Sequence, residues 1–528
     1  MVVGLLGVAA TAGAVVHSRN GGVVSGSTEP DYREGVVAPH HPLTLNPLLA
    51  RSDAASSGVD ALLYRGLLKF DKSATPVADL ATSFGVSGDG LSYRFPLPGG
   101  LLWSDGAPLT AQDVLATVAA VQAPGFPDGG LAAGWKGVTV AIDPAGAVTM
   151  TLPGPRASFA AAVAQLPIVP RAVAARTAAA QTASATQPAA TSGAYRVRSS
   201  DDSHVVLERN PHSGDRLTLQ VLDMTLEPTF EQAVRDLAAG RVDAVAATSP
   251  GERDALTRLS GVQVQDMTSF RFVDVILNAR HPGLSDVAVR RALASAVDRR
   301  QLVATALGGA GRPQVDAEPL GITWLGASAQ EQPQPELAAR ALDAAGWTVP
   351  AGGGFRTKGA DKLSLTLSVP DAAPLPQVAD ELARQLSTVG VGITVHRVPP
   401  GSVLDGTLKP ASFDLALVDW DNGPDPDISS FWRSNAMPPA GFNVSGAPVD
   451  LFLDRALDDL ATESDAQLRI AAAQRVEQRL TDDTPAIFLY SPVLSLGTRS
   501  TLTGVVLPAS GSPSDRYAQI GSWRRAGG

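Results

Sequence analysis

Cysteine is absent from this 528-residue chain. That gap excludes disulfide frameworks, thiol nucleophiles, cysteine-bound zinc, iron–sulfur ligation and a lipid-modified cysteine anchor. Charge is sparse as well: charged residues make up 18% against 44% hydrophobic, the balance of a globular chain rather than a disordered one. The formal net charge is -10, and no long Lys/Arg run occurs. Nucleic acid is therefore not expected as a partner, and there is no polybasic membrane patch. The seven His residues are scattered, with only His40 and His41 adjacent.

Signatures of catalysis and of nucleotide binding are missing too. The chain has no His-Glu-x-x-His, no Gly-x-Ser-x-Gly, no Gly-x-Gly-x-x-Gly, and no Gly-Lys dipeptide from which a P-loop could be built. No cofactor is expected. Asp419, Asp421, Asp425 and Asp427 crowd one stretch, but a calcium loop needs Asp or Asn at position 423 and Glu at 430, where Gly423 and Ser430 stand. No metal site is assigned.

What is present begins with an apolar run, Val2 to Val16, closed by His17, Ser18 and Arg19 and followed by a Gly/Ser/Thr linker to Pro30. About fifteen residues suit the apolar core of a secretory signal better than a spanning helix, which needs roughly twenty. Ala10, Ala12 and Ala14 offer an Ala-x-Ala cleavage site. A signal peptide, a marginal uncleaved anchor and a start site inside a longer signal all fit, and export is the expectation.

The length calls for two or three domains. A Pro-punctuated strand and turn are expected over His40 to Leu49, and a hairpin over Phe84 to Leu97 around Ser87-Gly88-Asp89-Gly90. Thr110 should cap a helix running to Val121, with Trp103 in the core. Ala172 to Ser192, rich in Ala, Thr and Gln, reads as a connector at a domain boundary. Helix-then-strand units follow at 229–246 and 375–398, with strands at 272–278 and 363–369 and a helix capped by Ser285. Two amphipathic helices over 450–480 and a last strand over 486–496 complete a β/α alternation, which implies a parallel or mixed sheet covered by helices.

Phe413 to Asp427 stands apart. An apolar run to Val418 breaks into Asp419-Trp420-Asp421-Asn422-Gly423-Pro424-Asp425-Pro426-Asp427. A buried strand ending there would leave Trp420 and Asp421 beyond its carboxyl end, where open α/β sheets bind ligands.

An ordered set of patches resembles the peptide/nickel class of extracytoplasmic solute-binding proteins, family 5, which serve ABC transporters. The patches are Leu45-Asn-Pro-Leu48; Leu63-Tyr-Arg-Gly-Leu67 with Pro76 to Ala81; Ser87 to Phe95 with Trp103 to Val114; Ser192-Gly-Ala-Tyr195; Leu207 to Pro211; and Asp286 to Leu293 with Ala296 to Arg299. Asp425-Pro426 closes the series. The resemblance implies an α/β, periplasmic-binding-protein-like two-lobe fold of the class II type, with an additional small α+β domain and the ligand cleft between the lobes. It implies a first lobe from 29–60, 193–283 and 494–528, the added domain over 61–192, and a second lobe over 284–493. Hinges would lie near 278–284 and 490–494.

By the same likeness the protein is a monomer that captures short peptides outside the membrane and passes them to an ABC permease, and it is not an enzyme. A non-peptide solute such as a glycan, a nickel chelate or a haem-like ligand is the alternative, and a secreted hydrolase is a more distant one. The expected ligand residues are Trp420 as apolar wall, Asp421 as partner of the ligand amine, Asn422, Tyr490, and Arg51 with Ser52 in the loop after Asn46-Pro47. Tyr490 suits a core role as well as a ligand role. Relatives carry the amine-binding acid about three residues past the Trp, where Gly423 stands, so Asp421 or Asp425 takes that part or the ligand lacks a free amine.

Overall fold

The computed structural model describes residues 29–39, 42–51, 53–176, 178–183, 185–186, 189–317, 332–438, 441–509 and 511–526. The N-terminal apolar run, His40, His41 and Ser52 lie outside the described residues.

Twelve strands join in one mixed sheet. In chain order they are β1 (Tyr32–Val37), β2 (Tyr195–Ser200), β3 (His204–Arg209), β4 (Val221–Glu227), β5 (Ala244–Ala247), β6 (Val262–Thr268), β7 (Arg271–Leu277), β8 (Gly311–Pro313), β9 (Ser364–Pro370), β10 (Gly392–Val398), β11 (Leu415–Asp421) and β12 (Ala486–Arg499). Across the sheet they run β10-β9-β11-β7-β12-β5-β1-β4-β3-β2, with β6 and β8 also paired to β12. β1 is parallel to β4 and β5, and β9 to β10 and β11. β11 and β7 are antiparallel, so the sheet is mixed, as the alternation implied.

β12 ties the two halves. Its first residues pair with β7 and β8, its last with β5 and β6. Between β6 and β7 the chain steps across at Ser269, whose amide donates to the Pro492 carbonyl at 2.9 Å. β7 is zipped along its whole length to β11.

The helices that matter here are α1 (Ala54–Leu63), α2 (Ala111–Val121), α3 (Phe230–Ala239), α4 (Val287–Ala296), α5 (Leu375–Thr388), α6 (Leu451–Thr462) and α7 (Ala466–Asp483). One core gathers Tyr32, Leu48, Leu62, Tyr195 and Trp523, and extends through Phe95, Trp135 and Phe159 into the added domain. A second packs Val273, Val275 and Leu277 under α4 and α5. A third seats Phe272 and Phe488 against α6 and α7. The alternation along β7 explains the split: odd residues face one helical layer and even residues the other.

The C-terminal segment returns to the first strand through a buried ion pair. Glu34, 0% exposed, accepts from Arg516 Nε at 3.0 Å and from the Tyr517 and Tyr32 hydroxyls at 2.8 and 2.6 Å. A buried carboxylate is tolerable only when its oxygens are filled in this way.

The added domain holds a four-stranded antiparallel sheet, and its Gly85–Val86 and Ser92–Phe95 strands form the expected hairpin. α2 starts where Thr110 predicts, with the Asp113 carboxylate accepting from the Thr110 amide at 2.8 Å. Three expectations shift. The turn after Asn46 forms as expected, the Leu49 amide donating to Asn46 O, but described residues 42–46 form no strand, and the strand lies earlier, at β1. α4 is capped by Asp286 instead of Ser285, its carboxylate accepting from the Ala288 amide at 2.8 Å. β11 runs to Asp421, three residues past the expected Val418, because Arg271 and Phe272 continue the ladder opposite Asp421 and Trp420.

Candidate ligand-binding site

The extension of β11 decides which way the candidate side chains point. Consecutive strand residues project to opposite faces, so Trp420 and Asp421 diverge. Trp420 joins the even face, packed on Phe431 and Phe442 with ring centroids 4.8 and 5.6 Å away. Its indole N–H donates to Asp274 Oδ1 at 3.1 Å. Asp421 is exposed, and its Oδ1 accepts from the Gly423 amide at 3.0 Å. That bond closes a tight turn whose third residue, Gly423, takes φ of 67°, a conformation glycine adopts without strain.

The rest of the loop is stiffened from within. Asn422 Nδ2 donates to the Asp425 carbonyl at 2.6 Å. Asp425 is held by Arg469 of α7 in a two-armed ion pair at 2.5 and 3.0 Å, so its carboxylate is already engaged. Asp427 accepts from the Ser429 amide and hydroxyl. Of the acids here, Asp421 is the exposed one.

On the odd face, Asp419 pairs with Arg271, the Nε to Oδ1 distance being 3.0 Å. Burial pushes the Asp419 carboxyl up, and Arg271 opposes that shift. Tyr490 lies on the same side, opposite Val273, and is 2% exposed within the second core. Burial pushes its phenol well up, Asp419 adding to the effect. The structure thus places Tyr490 in the packed interior, on the other face of the sheet from Trp420.

Arg51 lies in the turn before α1, whose start is fixed by Asp53 accepting from the Ala55 and Ser56 amides. Its guanidinium donates to Gln165 O at 3.1 Å and to Gln165 Oε1 at 3.4 Å, and stands 3.6 Å from Asp128. Gln165 belongs to the added domain and faces the Gly423 turn, where a Cβ would lie 3.9 Å from its Nε2. Arg51 and the loop after Trp420 therefore meet through Gln165. A second bridge lies alongside: the Ala157 amide donates to Ala461 O at the end of α6, at 2.8 Å. The turn before α1, the segment around residues 157–165 and the end of α6 thus gather around the β11 loop.

Sequence reading missed Gln165, Arg469 and Asp274. The first two carry no local signal, since their partners are 114 and 44 residues away. Asp274 did leave one: it is the lone acid inside the apolar run Phe272 to Leu277.

The model of bacterial extracellular solute-binding proteins, family 5 (middle), matches residues 75–441, more than half of the chain. The chain belongs to that family. Among curated relatives of this family 5 protein, Protein XP55 of Streptomyces lividans is 29% identical over 489 residues, covering 91% of this chain and 88% of the relative. The oligopeptide-binding protein AppA of Bacillus subtilis is 22% identical over 480 residues, covering 87% and 86%. In fold, NikZ of Campylobacter jejuni, solved in complex with Ni(L-His), superposes with a TM-score of 0.69 at 21% identity, covering 94% of this chain and 99% of that one. The two-lobe fold and the family assignment stand as the sequence motifs implied. Family 5 proteins work outside the cytoplasm, and among the described residues no helix is long and apolar enough to cross a membrane.

Proposed function

We propose that this family 5 protein captures short peptides outside the membrane by lobe closure and delivers them to an ABC permease, held near the membrane by its N-terminal apolar segment. One observation carries the reading: the exposed Asp421 carboxylate stands at the end of β11, two residues from the approach of Gln165 to Gly423, while Asp419 and Asp425 are engaged by arginines. An extended peptide satisfies such a cleft through its backbone, so affinity depends little on sequence, and its ammonium group finds a carboxylate at one end. Trp420 supplies apolar surface behind the loop, and Arg51 with Gln165 closes the opposite wall. The name of the relative AppA agrees with this ligand class.

The test is calorimetric titration of the full chain with a library of tri- to pentapeptides, after native mass spectrometry of the purified protein to detect a retained ligand. A hydrogen bond to a charged group is worth about 1.5 to 3 kcal/mol, so Asp421→Asn should weaken binding by about ten- to a hundredfold. N-acetylated peptides should bind wild type as poorly as free peptides bind the variant. Equal affinity for acetylated and free peptides would remove Asp421 from its role, and a retained nickel chelate or glycan would replace the peptide reading.

A further inference from the structure

Asp274 is a costly residue in its position. It is 0% exposed, sits on β7 between Phe272 and Ile276, and faces Val418 across one ladder and Phe488 across the other. Oδ1 accepts from Trp420 Nε1, and Oδ2 has no hydrogen-bond partner. Burial pushes the carboxyl well above its usual range. A polar group buried with one atom unsatisfied destabilises a fold, and an apolar residue of similar size would pack better there. Such local violations gather where a site must be held in one geometry.

The feature it holds is the indole of Trp420. A half-buried Trp resting on two aromatic rings can slide or flip on them, and a hydrogen bond to a fixed strand residue removes that freedom. We infer that Asp274 is a positioning residue for ligand capture, anchoring the Trp420 ring so that it presents one surface to the cleft. The inference rests on the reading of Trp420 as a cleft wall. Asp274 has no exposed atom and touches no ligand itself; it acts through the indole.

The experiment compares wild type, Asp274→Leu, Asp274→Asn, Trp420→Phe and the Asp274→Leu/Trp420→Phe double variant of the full chain. The probe is the tightest-binding member of the tri- to pentapeptide library, and in parallel each chain is labelled with 5-fluorotryptophan for fluorine NMR. Asp274→Leu should melt no lower than wild type yet bind about tenfold more weakly, the loss expected for one anchoring hydrogen bond. Its Trp420 resonance, assigned by its absence from Trp420→Phe, should shift and broaden. Asp274→Asn keeps a carbonyl acceptor and should restore both affinity and line shape. In the Trp420→Phe background the Leu substitution should leave affinity unchanged. An unshifted Trp420 resonance in Asp274→Leu overturns the inference even in the absence of any ligand, and so does an equal loss of affinity with or without Trp420. Failure of wild type to bind every peptide, with the resonance shifted as expected, overturns the peptide reading and leaves the anchor standing.

Discussion

Asp425 shows how a residue's neighbours settle its part. In sequence it is one of four acids within nine residues and an equal rival to Asp421 for a ligand amine. In the folded chain both its oxygens meet the Arg469 guanidinium, and Arg469 also donates to Leu460 O at 2.9 Å. The two side chains are nearly buried, at 8% and 14% exposure. Removing one partner of such a pair strands a buried charge, at a cost of about 3 to 5 kcal/mol. Arg469→Ala should therefore lower unfolding free energy by about 3 kcal/mol in urea titration, while Arg469→Met paired with Asp425→Leu should recover most of it. A loss below about 1 kcal/mol in the single variant would show the pair to be open to solvent. Trp420 and Asp421 were legible as candidates from their setting after an apolar run. Their divergence to opposite faces was not, since it depends on where the ladder ends.

At the scale of elements, caps and turns were the most legible features because they depend on residues a few positions apart. Thr110 with Asp113 and the Ser87 to Gly90 turn appear where the sequence puts them. Gly240 ends α3 at φ of 73°, also as expected. Gly193 is different. It lies where the added domain's chain returns beside the end of α1, its amide donating to Leu63 O at 2.7 Å. A Cβ at this position would lie 2.4 Å from Leu62 O, a backbone atom that cannot swing away. Gly193→Ala should destabilise the protein by about 2 kcal/mol or more through overpacking, seen as a lower midpoint in thermal melts. An unchanged midpoint would mean that α1 and the strand after Gly193 separate easily. The sequence showed the Ser-Gly-Ala-Tyr patch here without showing that Gly is required by the approach of two backbones.

At the scale of the whole molecule, stability should carry a pH signature from Glu227. It is buried at the end of β4, and burial, with the Asp236 carboxyl beside it, pushes its pKa from 4.5 to about 7. The folded chain therefore keeps a proton that the unfolded chain releases near 4.5, so stability falls as pH rises through that window and levels off above about 7. Glu227→Gln removes the titration and offers an amide N–H to Asp236. The variant should gain on wild type in melting temperature between pH 5 and pH 8; parallel melting curves across that range would mean that Glu227 ionises freely. The sequence by itself determined the family, the α/β alternation and the starts of the helices after Thr110, Thr229 and Asp450, because each follows from short-range periodicity and from motifs in a fixed order. The tertiary structure alone decided the step from β6 to β7 beside Pro492, the burial of Tyr490, the engagement of Asp425 and the hydrogen bond from Trp420 to Asp274. Each of these joins residues far apart in the chain, and their meeting depends on strand register and on which face of the sheet is covered, neither of which a local pattern encodes.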